Sequence, residues 1–245
     1  MARAEGRVDF SRGRIQGSGL GFAYSKNDDV LTIFNDAAMQ VAPDATGAGA
    51  MHVVSGALEF RRNEQSIRFD RGMQATRARE TVEADAAVAH LSADEDRLQA
   101  IELRGNSRIT PSSSGPGGLQ ALRARDIDIT YAPDGEAIQR AVLSVDAAIQ
   151  LTGQDRQPGR QIAASTVDVS LASDGTTLTA LAARERVKVD LPAEPAGVNR
   201  TITAQTLESQ GDEQRGVTNA RFTGNVQFSE RGPKISREAR SAELD

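Results

Sequence analysis

The chain has 245 residues, enough for one large or two ordinary domains. Its formal net charge of -5, with no basic cluster, argues against nucleic acid as a partner, and the absence of cysteine excludes disulfides and thiolate metal sites. Aromatics make up only 4% and tryptophan is absent, which points away from a compact enzyme core and toward a thin, extended β architecture.

The opening MARAEGRVDFSRGR is polar and carries no secretory signal pattern, and no apolar run approaches the roughly 20 residues of a spanning helix. Gly19–Tyr24 reads as a short strand, Asn27-Asp28-Asp29 as a turn, and Val30–Phe34 with Ala37, Met39 and Val41 as the returning strand. Pro43–Ala50 is a loop of small residues. Met51–Phe60 and Ser66–Ala75 form a second, degenerate hairpin. Arg77–His90 is alanine-rich, yet its alignment with the later repeats makes it strand rather than helix.

From there a repeat takes over. Ala84, Ala124, Ala164 and Ala204 are spaced by 40, and each opens a strand pattern: Ala87, Ala89, Leu91; then Ile127, Ile129, Tyr131; then Val167, Val169, Leu171; fading to Leu207, Ser209 and Gly211. A second strand starts in register at Leu98, Ile138, Leu178 and Val217. Its apolar residues return first after three positions and then after two, which suggests a bulge near the strand start. Asp94, Asp134 and Asp174 hold one position between the two strands, two of them followed by glycine (Gly135, Gly175), as tight reversals require. Each repeat is therefore an antiparallel hairpin. Pro111–Gly118 and Gly153–Gly159 are the longer links between repeats. Glu238–Asp245 looks like the first strand of another repeat, so both ends read as cuts through a longer protein.

The expectation is an all-β fold of about six stacked hairpins, with 1–76 an N-terminal β region and 77–245 a run of repeats truncated at the C-terminal end. A propeller would need four strands per repeat, and a parallel β-helix shorter coils without Asp-Gly reversals.

No catalytic set stands out. His52 and His90 have no histidine or carboxylate at ligand spacing, and His90 falls at an outward strand position. Gly17-Ser18-Gly19-Leu20-Gly21 lacks both the spacing and the following helix of a phosphate loop; a close strand crossing or bulge explains it. Asp126, Asp128, Asp168 and Asp190 alternate with apolar residues and so belong to a solvated face. No metal or cofactor is expected. The functional candidate is the apolar face itself: Ile127, Ile129, Tyr131, Leu143, Val145, Ile149, Val167, Val169, Leu171, Leu181, Val187, Val189, Leu207, Phe222, Val226 and Phe228, interrupted by Glu185. Glu185 is expected at a trough mouth or on a bulge. These residues form either the core of a closed sandwich or the lining of an open hydrophobic trough, in which each buried methylene of an acyl chain gains about 0.8 kcal/mol.

Two motifs carry a resemblance. One is Ala-x-x-apolar-x-apolar-x-apolar, as in Ala124-Arg-Asp-Ile-Asp-Ile-Thr-Tyr131. The other is apolar-x-Gly-Asn, as in Leu103-Arg-Gly-Asn-Ser-Arg-Ile109 and Phe222-Thr-Gly-Asn-Val-Gln-Phe228. Repeated in register, these resemble the OstA-like repeat of the lipopolysaccharide transport proteins, the LptA/LptC family. Gly17–Tyr24 through Asp29–Ile33 is similar to the N-terminal region of long LptC-type proteins. The resemblance implies an open antiparallel β-jelly roll (β-taco) in the periplasm, associated with the inner membrane through an anchor this chain lacks. It implies no enzymatic activity, lipopolysaccharide as cargo, and an inner-membrane exporter complex and like-folded bridge proteins as partners, joined head to tail by strand addition, with a homo-oligomer as a further option.

Overall fold

The structure is a computed structural model that describes residues 1–45, 47–115, 117–153, 159–191, 197–232 and 235–245, with the side chain of Ile235 excepted. The predicted Gly153–Gly159 link lies largely outside the described residues. Among the described residues there are fifteen strands: β1 (Ala2–Arg12), β2 (Ile15–Ser25), β3 (Val30–Val41), β4 (Met51–Arg61), β5 (Ser66–Arg77), β6 (Glu80–Ala84), β7 (Ala86–Leu91), β8 (Leu98–Pro111), β9 (Leu119–Tyr131), β10 (Ile138–Leu151), β11 (Gln161–Leu171), β12 (Leu178–Leu191), β13 (Asn199–Asp212), β14 (Gly216–Gly232) and β15 (Ile235–Leu244). The fold is all-β, antiparallel and jelly-roll-like. Among the described residues, no helix is long and apolar enough to cross a membrane.

The chain forms two compact units. The first comprises Met1–Ser112 and Asp128–Ala137, the second Ser113–Ile127 and Ile138–Asp245. Within the first, β1 to β5 pair in chain order, and β6 and β7 together lie between β5 and β8 as two halves of one broken strand. Within the second, β10 to β15 pair in chain order. The alanine-rich stretch after Arg77 is strand, as its alignment with the later repeats indicates.

Two kinds of bulge recur. Near the start of β8, β12 and β14, one residue has no opposite number: Gln99, Thr179 and Thr218. This is the physical source of the three-residue step in the sequence, because the extra residue resets the inward face. The second kind lies mid-strand. Arg71-Gly72, Gly105-Asn106, Val145-Asp146, Glu185-Arg186 and Gly224-Asn225 all have positive φ. In β10 and β12 such a pair opposes a single residue, Ser165 or Gln205, so the ladder bends there. In the first unit the same corner breaks the strand between β6 and β7 at Asp85, whose carbonyl accepts from Gly72 N at 2.7 Å and whose amide donates to Gly105 O at 2.9 Å.

The corner corrects one inward assignment. Val145 does not line the apolar face: it is a corner residue with φ 66°, 38% exposed, and Ala147 takes the inward place. Strict alternation from Leu143 fails because the bulge adds a residue that points out. Glu185 occupies the equivalent place in β12 and is likewise exposed.

The repeated alanines are explained by the same feature. Ala84, Ala124, Ala164 and Ala204 are all buried, each one residue before Asp85, Arg125, Ser165 or Gln205. Ala164 faces Ala147, and Ala204 faces Val187. Short side chains suit the inner side of a bend. Ala164→Leu is expected to cost about 1–3 kcal/mol through overpacking, read as a lower urea midpoint at unchanged slope.

The aspartates of the turns act differently from a two-residue reversal. Ala172 N donates to Thr177 O and Gly175 N to Ala172 O, closing a four-residue loop around a β-turn; Ala132–Ala137 and Ser92–Arg97 repeat it. Gly135 and Gly175, with φ of 76° and 72°, supply the left-handed residue. Asp174 Oδ1 accepts from the amides of Thr176 and Thr177, both at 2.8 Å. Burial raises the Asp174 carboxyl, but the Thr177 and Thr176 hydrogen bonds outweigh it and hold the group below its ordinary value. A carboxyl depressed by folding contributes stability above its ordinary range and loses it as pH falls through the depressed value. Asp174→Ala is therefore expected to cost about 1 kcal/mol at neutral pH, and the difference from wild type should vanish in strong acid.

The polar N-terminal stretch forms β1, a strand that alternation does not announce because most of it is exposed on both faces. The Gly17–Gly21 run serves close packing: a Cβ on Gly17 would collide with the Phe10 ring, and one on Gly19 with Ile33.

Candidate functional site

Cross-strand register gathers the apolar residues of the second unit into rows that run from strand to strand. On one side of the corner, Leu143 faces Val167, Val167 faces Ala183, Ala183 faces Leu207, and Leu207 faces Phe222. Beside this row lies another, in which Ala141 faces Val169 and Val169 faces Leu181. On the far side of the corner, Ile149, Ile162, Val189, Ile202 and Phe228 face one another in turn. Ile162 and Ile202 complete that row and escaped the sequence reading, which counted forward from each repeated alanine. Both stand two residues before it, on the same face.

The first unit builds the same rows, mostly from the part of the chain before the repeat begins at Ala84. Met39, Val53, Ala75, Val82 and Ile109 face in sequence, as do Ile33, Leu58, Phe69, Ala87 and Leu103. Ile129 and Tyr131 also belong to this unit, whereas Ile127 belongs to the second.

The rows are closed to solvent. Of the sequence-predicted face, Ile127, Leu143, Ile149 and Val167 are 0% exposed, and Ile129, Tyr131, Val169, Leu171, Leu181, Val187, Val189, Leu207, Phe222 and Val226 are also buried. Phe228 is half-buried. It lines a shallow groove with Thr201, Thr203 and Gln227. Val145 alone of the set is exposed, being a corner residue.

One cavity of about 240 Å³ opens at an end of the first unit, next to the turns Gly13–Arg14, Leu91–Leu98 and Asp134–Glu136. Its walls include Ile15, Met39, Met51, Ile67, Phe69 and Leu98. Met39 and Phe69 also belong to the interior rows, and Ile67, two residues before Phe69, is buried on the same face, so the cavity continues directly into the apolar face. Its lining carries four arginines and six carboxylates.

One of those arginines is buried. The side chains of Arg77 and Glu80 are 6% and 5% exposed, with Arg77 Nη1 3.2 Å from Glu80 Oε1. Tyr131 donates its hydroxyl to Glu80 Oε1 at 3.3 Å, and the Arg77 guanidinium sits over the Tyr131 ring, 4.9 Å from its centre. Arg77 Nη2 donates to Gly135 O at 2.5 Å and lies 3.6 Å from Glu136. Burial pushes the Glu80 carboxyl above its ordinary value against the opposing pull of Arg77. Burial and the neighbouring Glu80 likewise raise the Tyr131 phenol. For Arg77, desolvation disfavours the charge, but Tyr131, Glu80 and Glu136 outweigh it and raise its pKa. Tyr131 thus lies on the inner face, but as part of a polar knot rather than a smooth apolar wall. Nothing in the local sequence signals this knot, because its members come from the end of β5, the start of β6 and the end of β9.

The outer face is laced with charge pairs. Arg104 bridges Glu102 (2.8 Å) and Asp128 (2.6 Å), Lys188 pairs with Asp190, Arg125 with Asp126, and Arg140 with Asp168. The aspartates that alternate with the apolar face therefore serve cross-strand or same-strand pairing. His90 is half-exposed, with Nε2 2.9 Å from Glu102 Oε1, a neighbour on β8 that linear spacing cannot reveal. Among the described residues, no group of three or more histidine or acidic side chains is placed to hold a metal ion.

No protein-family model matches the chain, and no curated protein matches it.

Proposed function

We propose that the chain is a non-enzymatic lipid-transfer protein that carries lipopolysaccharide across the periplasm along its apolar face, receiving it from an inner-membrane exporter complex and passing it to like-folded bridge proteins. The observation that carries this reading is the continuity of the apolar rows across consecutive strands, with aliphatic side chains and few rings. Such rows offer an acyl chain the same surface at each step. The resemblance of the repeat to the LptA/LptC family supports it further. Carriage requires the two sides of each row to part, since the row residues are buried in the absence of lipid. An acyl chain lying between them replaces the lost contacts, at about 0.8 kcal/mol per buried methylene.

A second reading is a structural or adhesive β-repeat protein with a filled core. The tight burial of Ile127, Leu143, Ile149 and Val167 favours it. Site-specific photo-crosslinking to lipopolysaccharide separates the two. The probe is placed in turn at inward Ile129, Val169 and Phe222 and at outward Asp128 and Asp168. Adducts confined to the inward positions are expected of a carrier. A folded protein that forms none at any position has a filled core and carries no lipid.

A further inference from the structure

We propose that the cavity at the end of the first unit is the intake port at which an acyl-chain end of the cargo enters, tail first, and that the Ala132–Ala137 turn, tied down by Arg77, is its cover. This rests on the lipid-carrying function proposed for the apolar rows. At about 240 Å³ the cavity is smaller than the roughly 300–1,000 Å³ of sites that enclose a whole small molecule, so it suits a chain end rather than a bulky headgroup. Its wall is continuous with the interior: Met39 and Phe69 line the cavity and belong to the buried rows, and Ile67 beside Phe69 is buried as well. The rows themselves are buried, and the cavity reaches their residues Met39 and Phe69 from outside.

Charge sets the orientation. Six carboxylates against four arginines give the lining a net negative balance. The buried Arg77 is already engaged by Glu80, Glu136 and the Gly135 carbonyl, while Arg12, Arg14 and Arg97 pair with Glu95, Asp44 and Asp94. Among the described residues of the lining, an anionic headgroup therefore finds no free cation and is held outside by repulsion. The tail meets no such barrier.

The cover is identified by its ties. Asp134, Gly135 and Glu136 line the cavity. Arg77 binds the Gly135 carbonyl from beneath, and Arg97 Nη1 donates to Pro133 O at 3.3 Å from the neighbouring Leu91–Leu98 turn. Two turns thus meet across the mouth. A Cβ built on Gly135 would lie 3.3 Å from that of Arg97 and 3.1 Å from Leu98 N and O, so the two turns are tightly packed there.

The test compares wild type with two full-length variants, Met51→Trp, which fills the cavity, and Arg97→Ala, which removes the Arg97 tie to the Ala132–Ala137 turn. Uptake of a fatty alcohol carrying a fluorophore at its uncharged head is followed by fluorescence. Met51→Trp should take up the probe about tenfold more slowly than wild type, and Arg97→Ala faster than wild type. Wild-type uptake by Met51→Trp overturns the port while leaving the carrier reading intact. Absence of uptake by wild type and both variants overturns the carrier reading and the port with it. Uptake by Arg97→Ala no faster than wild type overturns the placing of the cover.

Discussion

Replacing Arg77 by methionine is expected to destabilise the first unit by about 3–5 kcal/mol, the largest single-residue effect the structure predicts. The loss does not measure the worth of the Arg77–Glu80 pair. It measures the cost of leaving Glu80, 5% exposed, without a counter-charge in an apolar surrounding. Removing both charges avoids that cost but leaves the buried Tyr131 hydroxyl without its Glu80 acceptor, so Arg77→Met/Glu80→Leu should recover only part of the loss and in urea stand between Arg77→Met and wild type. The pH dependence has a definite sign. The Glu80 carboxyl is raised by burial even beside Arg77. A group raised by folding favours the folded state below its ordinary value, and that contribution is lost as pH rises through the raised value. Without Arg77 the carboxyl rises further, so the penalty of Arg77→Met should shrink as the solution is brought from neutral toward about pH 5. A penalty independent of pH would mean that lost packing against Tyr131, not the orphaned charge, governs the variant.

What the sequence reveals here depends on how local each cause is. The repeat of Ala124, Ala164 and Ala204, the strand pairs around it and the aspartates of the turns are legible because each hairpin contains its own instructions: alternation for the strands, a left-handed glycine for the turn. Even the bulge at the strand start is legible, since Thr179 and Thr218 shift the apolar step from two to three. The mid-strand corner is visible only as a step of four, from Ala183 to Val187, and its residue types vary from Gly-Asn to Val-Asp to Glu-Arg. Hydrogen-bonded register rather than composition holds that corner, so Val145 could be taken for an inward residue. The strand β1 is hidden for a different reason: with both faces largely exposed, it has no hydrophobic period to display. The Arg77–Glu80–Tyr131 knot is hidden by distance, because Tyr131 stands 51 residues beyond Glu80 and carries the pattern of an ordinary inward aromatic.

Leu143 and Val145 stand two residues apart and should respond in opposite directions. Leu143 is fully buried in the row that continues through Val167, so Leu143→Ala is expected to cost about 2–5 kcal/mol, the sum of lost transfer energy and a cavity the neighbours only partly fill. Val145 sits at the corner with φ 66°, in a conformation that a β-branched residue tolerates poorly and asparagine accepts. Val145→Asn should therefore leave stability unchanged or raise it by up to about 1 kcal/mol. Strict alternation demands the reverse, since an asparagine pointing into the apolar row would leave its amide unsatisfied at a cost of about 1–3 kcal/mol. The sign of one denaturation midpoint thus decides between the bent register and the straight one. That register also determines which faces can meet lipid: if the corner is real, residues 145, 185 and 225 lie outside any acyl path, and a crosslinking probe at Val145 should behave like one at Asp168 rather than one at Val169.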